Sequence, residues 1–284
     1  MELGAGGVQL SPDGKQVTIT RTASRADFTE AHIWIADVSR GIFSRLTTSD
    51  ASDGSPALSP NGRVAFSSSM NGAIGDLYWM PGTGVGSAEP LLLKSQTVKH
   101  PNDFSPDGRF LIYDDHTAMR QDLFILPIEA PPGGGRKPIP FVVTGADETQ
   151  GQFSPDGKWI AYSSDESGRR EVYVQGFAPD KVPATAVGKW TISTAGGDKP
   201  RWSADGKELY YIALDRKMMA VPVKLMPTFE PGLAVPLFET NVTAFSPYEV
   251  SPNGRFLLNT VSDSAAPSFS PVTVVLNWQS GLKR

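Results

Sequence analysis

One tetrapeptide recurs six times along the chain: Ser11-Pro12-Asp13-Gly14, Ser59-Pro60-Asn61-Gly62, Ser105-Pro106-Asp107-Gly108, Ser154-Pro155-Asp156-Gly157, Ser203-Ala204-Asp205-Gly206 and Ser251-Pro252-Asn253-Gly254. Its serines lie 48, 46, 49, 49 and 48 residues apart, so the repeat runs the length of the sequence without slipping. An even period of this size demands a stack of similar units, because one such unit cannot bury its apolar face alone. The chemistry of each copy is that of a tight hairpin turn: proline pre-sets φ, Asp or Asn bonds its own backbone, and glycine takes the left-handed φ that closes the turn. Only Ala204 departs from the pattern, and it loses no more than the proline pre-organisation.

A large apolar residue precedes every turn (Leu10, Leu58, Phe104, Phe153, Trp202, Val250), and an apolar run follows it, as in Phe110-Leu111-Ile112-Tyr113 and Trp159-Ile160-Ala161-Tyr162. Such runs are apolar at successive positions, which fits sheets covered on both faces by neighbouring sheets. A third strand is read 17 residues after the serine at Asp76-Leu77-Tyr78, Asp122-Leu123-Phe124 and Glu171-Val172-Tyr173, and more loosely at Ile33-Trp34-Ile35. A fourth ends the unit, as in Arg45-Leu46-Thr47, Phe141-Val142-Val143-Thr144 and Trp190-Thr191-Ile192-Ser193. Four short strands per unit make the blade of a β-propeller. The expected fold is therefore all-β, a six-bladed β-propeller of mostly four-stranded antiparallel blades, forming a single domain over residues 1–284. Pro81 to Ser87, Pro131 to Gly135 and Ala178 to Gly188 are expected as surface loops, since the repeat count passes through them.

Ring closure is the exception. The last repeat runs through Arg255-Phe256-Leu257-Leu258 to Val272-Thr273-Val274-Val275-Leu276 and offers no clear fourth strand, while only Met1 to Gly7 precede the first repeat. The last blade is expected to be three-stranded or weakly latched, and the chain to be cut from a longer protein.

Composition narrows the function classes. The absence of cysteine excludes disulfides, Cys-zinc sites, iron–sulfur clusters and thiol catalysis. A net charge of −4, with no basic block longer than the pairs Arg169-Arg170 and Lys283-Arg284, argues against nucleic-acid binding. No apolar run is long enough to span a bilayer and no signal peptide is visible, so no membrane insertion by this chain is expected. No cofactor is expected, and the chain is expected to be a monomer.

These repeats resemble the WD40-like propeller repeats of the TolB-like superfamily, in which an aromatic and Ser-Pro-Asp-Gly are followed by an apolar strand and then Asp/Glu-aliphatic-aromatic. The stretch Gln152 to Arg169, Pro200-Arg201-Trp202 with Lys207-Glu208-Leu209-Tyr210-Tyr211, and Val274-Val275-Leu276-Asn277-Trp278 are similar to the propeller found C-terminal to many bacterial membrane-bound Ser/Thr protein kinases. That resemblance implies a sensor or interaction domain, periplasmic or otherwise outside the cytoplasmic membrane. The chain itself carries no glycine-rich phosphate loop, no His-Arg-Asp loop and no Gly-x-Ser-x-Gly elbow, so no catalytic residue is assigned.

Two residues before the turn serines stand Gln9, Ala57, Asp103, Gln152, Arg201 and Glu249, on the strand expected nearest the propeller axis. Gln9, Asp103, Gln152, Arg201 and Glu249 form a candidate channel ring for a small polar ligand, although plain solvation of a channel would also make these positions polar. A candidate partner-binding tip is formed by Asp165, Glu166, Arg169 and Arg170, for which the competing reading is a salt-bridged hairpin end. The turn Asp and Asn residues lie a blade apart and are read as turn formers rather than calcium ligands. His32, His100 and His116 are placed in three different blades without metal-ligand spacing, and Asp114-Asp115-His116 is read as a solvated loop after a strand, so no metal site is assigned. The expected function is a non-catalytic ligand- or protein-binding module, with a metal-dependent lactonase-like hydrolase using Asp103 and Glu249 as the alternative.

Overall fold

All six repeat turns close in one way. Every turn glycine has φ between +68° and +78°. Its N–H donates to the carbonyl of the turn serine at 2.8 to 3.0 Å. The serine hydroxyl donates to the Asp or Asn Oδ1 at 2.5 to 2.8 Å. That hydroxyl also accepts from the strand leaving the turn, for example from Phe110 N at 3.0 Å and Trp159 N at 3.0 Å. The four residues thus satisfy their own polar groups and send the chain back antiparallel, which is why the motif tolerates Ala204 in place of proline.

The structure is a computed structural model and describes residues 7–22, 30–70, 72, 75–93, 96–117, 119–130, 132–179, 185–242, 248–259 and 272–275. Among these residues there is no α-helix, and the strands form six antiparallel sheets. The first contains β1 (Val8–Leu10), β2 (Gln16–Thr22), β3 (Ala31–Asp37) and β4 (Ile42–Arg45); the second, β5 (Asp53–Leu58), β6 (Arg63–Ser68), β7 (Asp76–Pro81) and β8 (Glu89–Leu92). The third contains β9 (Val98–Phe104), β10 (Phe110–His116), β11 (Gln121–Pro127) and β12 (Ile139–Val142); the fourth, β13 (Glu148–Phe153), β14 (Trp159–Ser164), β15 (Glu171–Phe177) and β16 (Thr185–Thr191). In the fifth, β17 (Asp198–Trp202), β18 (Glu208–Ile212) and β19 (Lys217–Lys224) are followed by β20 (Glu230–Pro231) and β21 (Val235–Glu239), both paired to β19. The sixth is β22 (Tyr248–Val250), β23 (Phe256–Asn259) and β24 (Val272–Val275).

Five of these sheets are complete blades of four or five strands, and the sixth has three. The expected six blades are therefore corrected to five complete ones: among the described residues one further strand follows β23, and residues 260–271 and 276–284 lie outside the described residues, as do Met1 to Gly6. Contacts divide the chain into two compact units, Met1–Pro101 with Asn241–Arg284, and Asn102–Thr240. The division falls within the residue range of β9.

The apolar runs pack as their two-sided pattern requires. In β14, Ile160 and Tyr162 join Ile112, Leu123, Ile125 and Phe141 of the third sheet. Their strand neighbours Trp159 and Ala161 face the other way and join Trp202, Leu209, Tyr211 and Val221 of the fifth. Phe177 ties the first of these clusters together, its ring 5.3 Å from both Phe110 and Phe153. The first and second sheets are joined likewise through Ile33, Ile35 and Leu46 against Val64, Phe66 and Tyr78. Full burial of one such side chain is worth roughly 1.5–3 kcal/mol, so these shared faces are the main stabilising term.

The fourth strands differ from expectation. β4 and β12 begin and end earlier than the apolar runs suggest, and β16 starts at Thr185, inside the stretch expected to be loop. β4 is largely exposed, Ile42 to 71%, and so carries a weak apolar pattern, whereas β12 buries Phe141 and Val142. A register shift between Gln175 and Phe177 accommodates β16, and Gly188 sits there at φ +75°, where a Cβ would come within 2.3 Å of the Trp190 ring.

Candidate functional site

The residues two before each turn serine act first on their neighbouring sheets. Gln9 Oε1 accepts the Leu58 N–H at 3.1 Å, and Asp103 Oδ2 accepts the Phe153 N–H at 2.9 Å. Both bonds run from this position in one sheet to the residue just before the turn in the next. Gln152, 8% exposed, donates from Nε2 to Gly151 O at 3.0 Å, and its carbonyl accepts Trp202 Nε1–H at 3.1 Å. Arg201, 4% exposed, donates from Nη1 to Pro200 O at 2.8 Å. Glu249 lies half-buried on β22. Asp103, Gln152 and Arg201 belong to one compact unit, Gln9 and Glu249 to the other.

The tip residues form a bonded hairpin end between β14 and β15. Asp165 Oδ1 accepts the Asp147 N–H at 2.8 Å, Glu166 pairs with Lys189, and Arg170 Nη1 donates to Thr149 Oγ1 at 2.7 Å. Arg169 donates from Nε to Glu171 Oε1 at 2.5 Å and from Nη2 to the Thr194 carbonyl. Glu171 is the acidic member of the Asp/Glu-aliphatic-aromatic column. Its carboxylate, 3% exposed, accepts the Ser193 hydroxyl at 2.5 Å and the Gly196 N–H at 3.0 Å, pinning the chain that leads into the fifth sheet. Beside it opens a hollow of about 510 Å³ lined by Ser167, Gly168, Arg169, Glu171, Tyr173, Thr191, Ser193 and Thr194. Lys189 Nζ lies 4.5 Å from the centre of the Tyr173 ring. Sequence reasoning singled out Asp165, Glu166, Arg169 and Arg170 but not the other lining residues: Tyr173 on β15, Thr191 at the end of β16, and Ser193 and Thr194 in the segment after it.

The turn carboxylates stay within their own turns. Lys207 and Ser203 bond the Asp205 carboxylate and draw its pKa down to about 2, and the Ser11 hydroxyl lowers that of Asp13. Two acids inside the sheets behave oppositely: burial raises the pKa of Asp53 and of Glu148.

The histidine reading is corrected. His100 lies on β9 and His116 on β10, adjacent strands of the third sheet, so two of the three histidines share a blade. The turn serine is not a blade boundary: residues before it pair with residues after it in one hairpin. Asp114-Asp115-His116 is the end of β10 rather than a loop, and Asp114 is 2% exposed. Asp114 Oδ2 is hydrogen-bonded to His116 Nε2, and Asp114 Oδ1 accepts Asn102 Nδ2–H at 2.6 Å. Asn102 is itself fixed by the Gly151 N–H on its Oδ1 at 3.0 Å. The sequence signal for the Asp114–His116 bond is the Asp-x-His spacing at the end of one strand, which puts both side chains on one face.

No protein-family model matches the sequence, and none of the curated proteins compared with it matches. Solved structures are similar. TolB from Acinetobacter baumannii aligns with a TM-score of 0.65 at 17% identity, over 89% of this chain and 60% of that one. The β-propeller domain of Cps50 (Swd1) from Myceliophteria thermophila aligns at 0.60 with 11% identity, over 91% of this chain and 81% of that one. The periplasmic gluconolactonase PpgL of Pseudomonas aeruginosa aligns at 0.56 with 18% identity, over 90% and 78%. The chain thus spans 60% of the length of the Acinetobacter TolB. At these identities the likeness is one of architecture, and it establishes the fold as a TolB-like, all-β propeller of small antiparallel sheets.

Proposed function

We propose that the chain is a non-catalytic binding module that takes a small polar ligand or a polar segment of a protein partner at the tip of the fourth sheet. The observation that carries this reading is the hollow of about 510 Å³ beside Arg169. Its size is that of an ordinary small-molecule site, and it combines hydroxyl groups, a carboxylate, a guanidinium and an aromatic ring, the mixture that fixes a polar ligand's orientation. The wall is pre-organised, because Glu171 is held by Ser193 and Gly196 rather than by solvent. The module acts as a monomer. Its place as the sensor domain of a larger bacterial receptor-type kinase rests on the sequence resemblance, and ligand binding would there bias two states of the parent protein.

The test is a thermal-stability screen against sugars, sugar phosphates, amino acids and nucleotides, followed by calorimetry. A ligand that raises the melting temperature, and whose affinity falls at least tenfold in Arg169→Ala and Tyr173→Ala but not in the exposed control Arg40→Ala, is the expected result. A hit insensitive to both tip substitutions overturns the assignment. The second reading, a metal-dependent lactonase-like hydrolase with Asp103 and Glu249 as ligands, is favoured by the fold likeness to a gluconolactonase. Against it, Asp103 Oδ2 already accepts the Phe153 N–H at 2.9 Å. Hydrolysis of a gluconolactone that requires added Ca²⁺, Mg²⁺, Mn²⁺ or Zn²⁺ and disappears in Asp103→Ala would establish that reading instead.

A further inference from the structure

We propose that Asp122 and Glu148 form a proton-operated latch between the third and fourth sheets, open when both carboxylates are charged and closed when one proton taken from solvent bridges them. Asp122 is the second residue of β11 and Glu148 the first of β13; both are buried, and both belong to the compact unit Asn102–Thr240. Each carboxylate has one oxygen with a partner and one without. Arg120 Nε donates to Asp122 Oδ2 at 3.4 Å, and the Thr144 hydroxyl donates to Glu148 Oε1. Asp122 Oδ1 and Glu148 Oε2 are shut off from solvent and have no hydrogen-bond partner. Buried polar atoms in that state are rare and costly. As charged groups the two are acceptors only and cannot satisfy one another. A single proton on Glu148 Oε2 makes that oxygen a donor to Asp122 Oδ1, in a bond of the strong, charge-assisted kind. The proton is placed on Glu148 because Asp122 already meets the Arg120 guanidinium.

The repeat shows why the two groups meet. Thr47 Oγ1 accepts the Ile33 N–H at 3.0 Å and Ser193 Oγ the Val172 N–H at 2.8 Å, so His32 and Glu171 hold one position in their sheets, the position that Asp122 holds in the third. Asp53 and Glu148 share another: each opens the first strand of its sheet six residues before the turn serine and pairs across the hairpin with a serine, Ser68 or Ser164. His32 Nδ1 lies 3.9 Å from Asp53 Oδ2, and Glu171 accepts the Gly196 N–H at 3.0 Å, so the first position meets the chain entering the next sheet. At those two junctions a carboxylate faces an imidazole or a backbone N–H. Only the junction of the third and fourth sheets, of these three, sets carboxylate against carboxylate. Burial raises the pKa of Glu148, and the negative charges of Asp122 and Glu166 raise it further against the opposing Thr144 hydroxyl.

The other charged groups around the pair are Asp115, opposite Asp122 across β10 and β11, Asp147 beside Glu148, and, on the fourth sheet, Asp165, Glu166 paired with Lys189, and Arg170 bonded to Thr149. Acids outnumber bases there, which favours the uncharged, protonated form of Glu148. Because its folded-state pKa is raised, the folded protein binds this proton more tightly than the unfolded chain does. Stability is gained as pH falls through that value and lost as pH rises through it. The latch adjoins a clasp between the sheets: Asp147 Oδ1 accepts the Gln121 N–H of β11 at 2.9 Å, and the Asp147 N–H donates to Asp165 Oδ1 at the fourth-sheet tip at 2.8 Å. Closing the latch fixes Glu148 and with it this clasp, whereas opening it sets two like charges against each other beside it. A metal cation is a poorer occupant than a proton, since it would sit next to the Arg120 guanidinium.

The experiment follows the side-chain carboxyl carbon of Glu148 by nuclear magnetic resonance in the full chain as pH is lowered from neutral, together with hydrogen-exchange protection factors for the Gln121 and Asp147 amides. Glu148 should take up its proton above the ordinary carboxylate range, and protection of both amides should rise as it does, about tenfold for each pH unit by which its folded pKa exceeds that of the opened state. In Asp122→Asn, whose amide can donate to Glu148 Oε2, the titration should move down by about 1 pH unit or more and the acid-linked gain in protection should shrink with it. Glu148→Gln puts an N–H where the proton would sit, and should keep both amides protected at every pH. The exposed control Glu239→Gln leaves the Glu148 titration unchanged, and circular dichroism confirms the fold of each variant. A Glu148 titration within the ordinary range, one unmoved by Asp122→Asn, or amide protection that ignores it overturns the proposal. Loss of the titration on adding Ca²⁺ or Mg²⁺ also overturns it, by making the occupant a cation.

Discussion

Replacing Glu171 with alanine tests the role assigned to the acidic column directly. The carboxylate accepts the Ser193 hydroxyl at 2.5 Å, and both its oxygens share the Gly196 N–H at 3.0 Å. Hydrogen bonds to a charged group are worth about 1.5–3 kcal/mol each, so these two internal donors account for about 3–6 kcal/mol. Arg169, at 2.5 Å, adds little, because its side chain is 53% exposed and a pair of that kind is worth about 0–1 kcal/mol. Removing the carboxylate also removes the cost of keeping a charge out of water, which places the net loss at the lower end, about 3–4 kcal/mol.

Urea denaturation followed by tryptophan emission measures the loss, since Trp190 and Trp202 belong to the adjoining core. A double-mutant cycle with Ser193→Ala isolates the hydroxyl contact and should give a coupling of about 1.5–3 kcal/mol. Glu171→Gln, which keeps an acceptor and loses the charge, should fall between wild type and alanine. A Glu171→Ala protein within about 1 kcal/mol of wild type, or strict additivity with Ser193→Ala, would refute the claim that this carboxylate holds the connection into the fifth sheet.

Two further substitutions follow from the repeat. Ala204→Pro restores the residue that the other five turns carry and should stabilise by about 0.4–1 kcal/mol in the same denaturation assay, chiefly by restricting the unfolded chain. Glu148→Gln should stabilise at neutral pH by about 1–2 kcal/mol, because the wild-type carboxylate is buried and its Oε2 has no hydrogen-bond partner. Burial raises the Glu148 pKa, so the folded wild type takes up a proton above the ordinary carboxylate range and gains stability as pH falls through that value. The advantage of Gln should therefore shrink on acidification, and a difference that is constant with pH would show that the charge is not its cause.

Most of the architecture was legible because its determinants are local. A turn whose serine, carboxylate or amide, and glycine bond one another within four residues leaves the same mark wherever it occurs, and six marks count the hairpins. The two-sided apolar runs were legible too, since Trp159 and Ile160 must both be covered and only facing sheets can do so. The outer strands were less so. An edge strand such as β4, with Ile42 exposed, owes its place to backbone pairing with β3, and backbone pairing writes nothing into the side chains. The histidines mislead for a different reason: the interval between turn serines is not the blade, because the hairpin across each turn joins residues on either side of that mark.

The polar column two residues before each serine shows how a repeat conceals function. Its conspicuous carboxylate and amide groups suggest a ligand ring, yet Gln9 and Asp103 make the same bond to the backbone of the next sheet, to Leu58 and Phe153. An N–H in a covered sheet must be paired, and a polar side chain from the adjoining sheet meets that need. At Gln9 and Asp103, polarity that recurs in register serves the architecture. The third repeat does break register, with Pro101 at the position where Ser55, Gln150 and Lys199 take left-handed φ. In a chain built from near-copies, departures from the copy are where selection for something other than folding becomes visible.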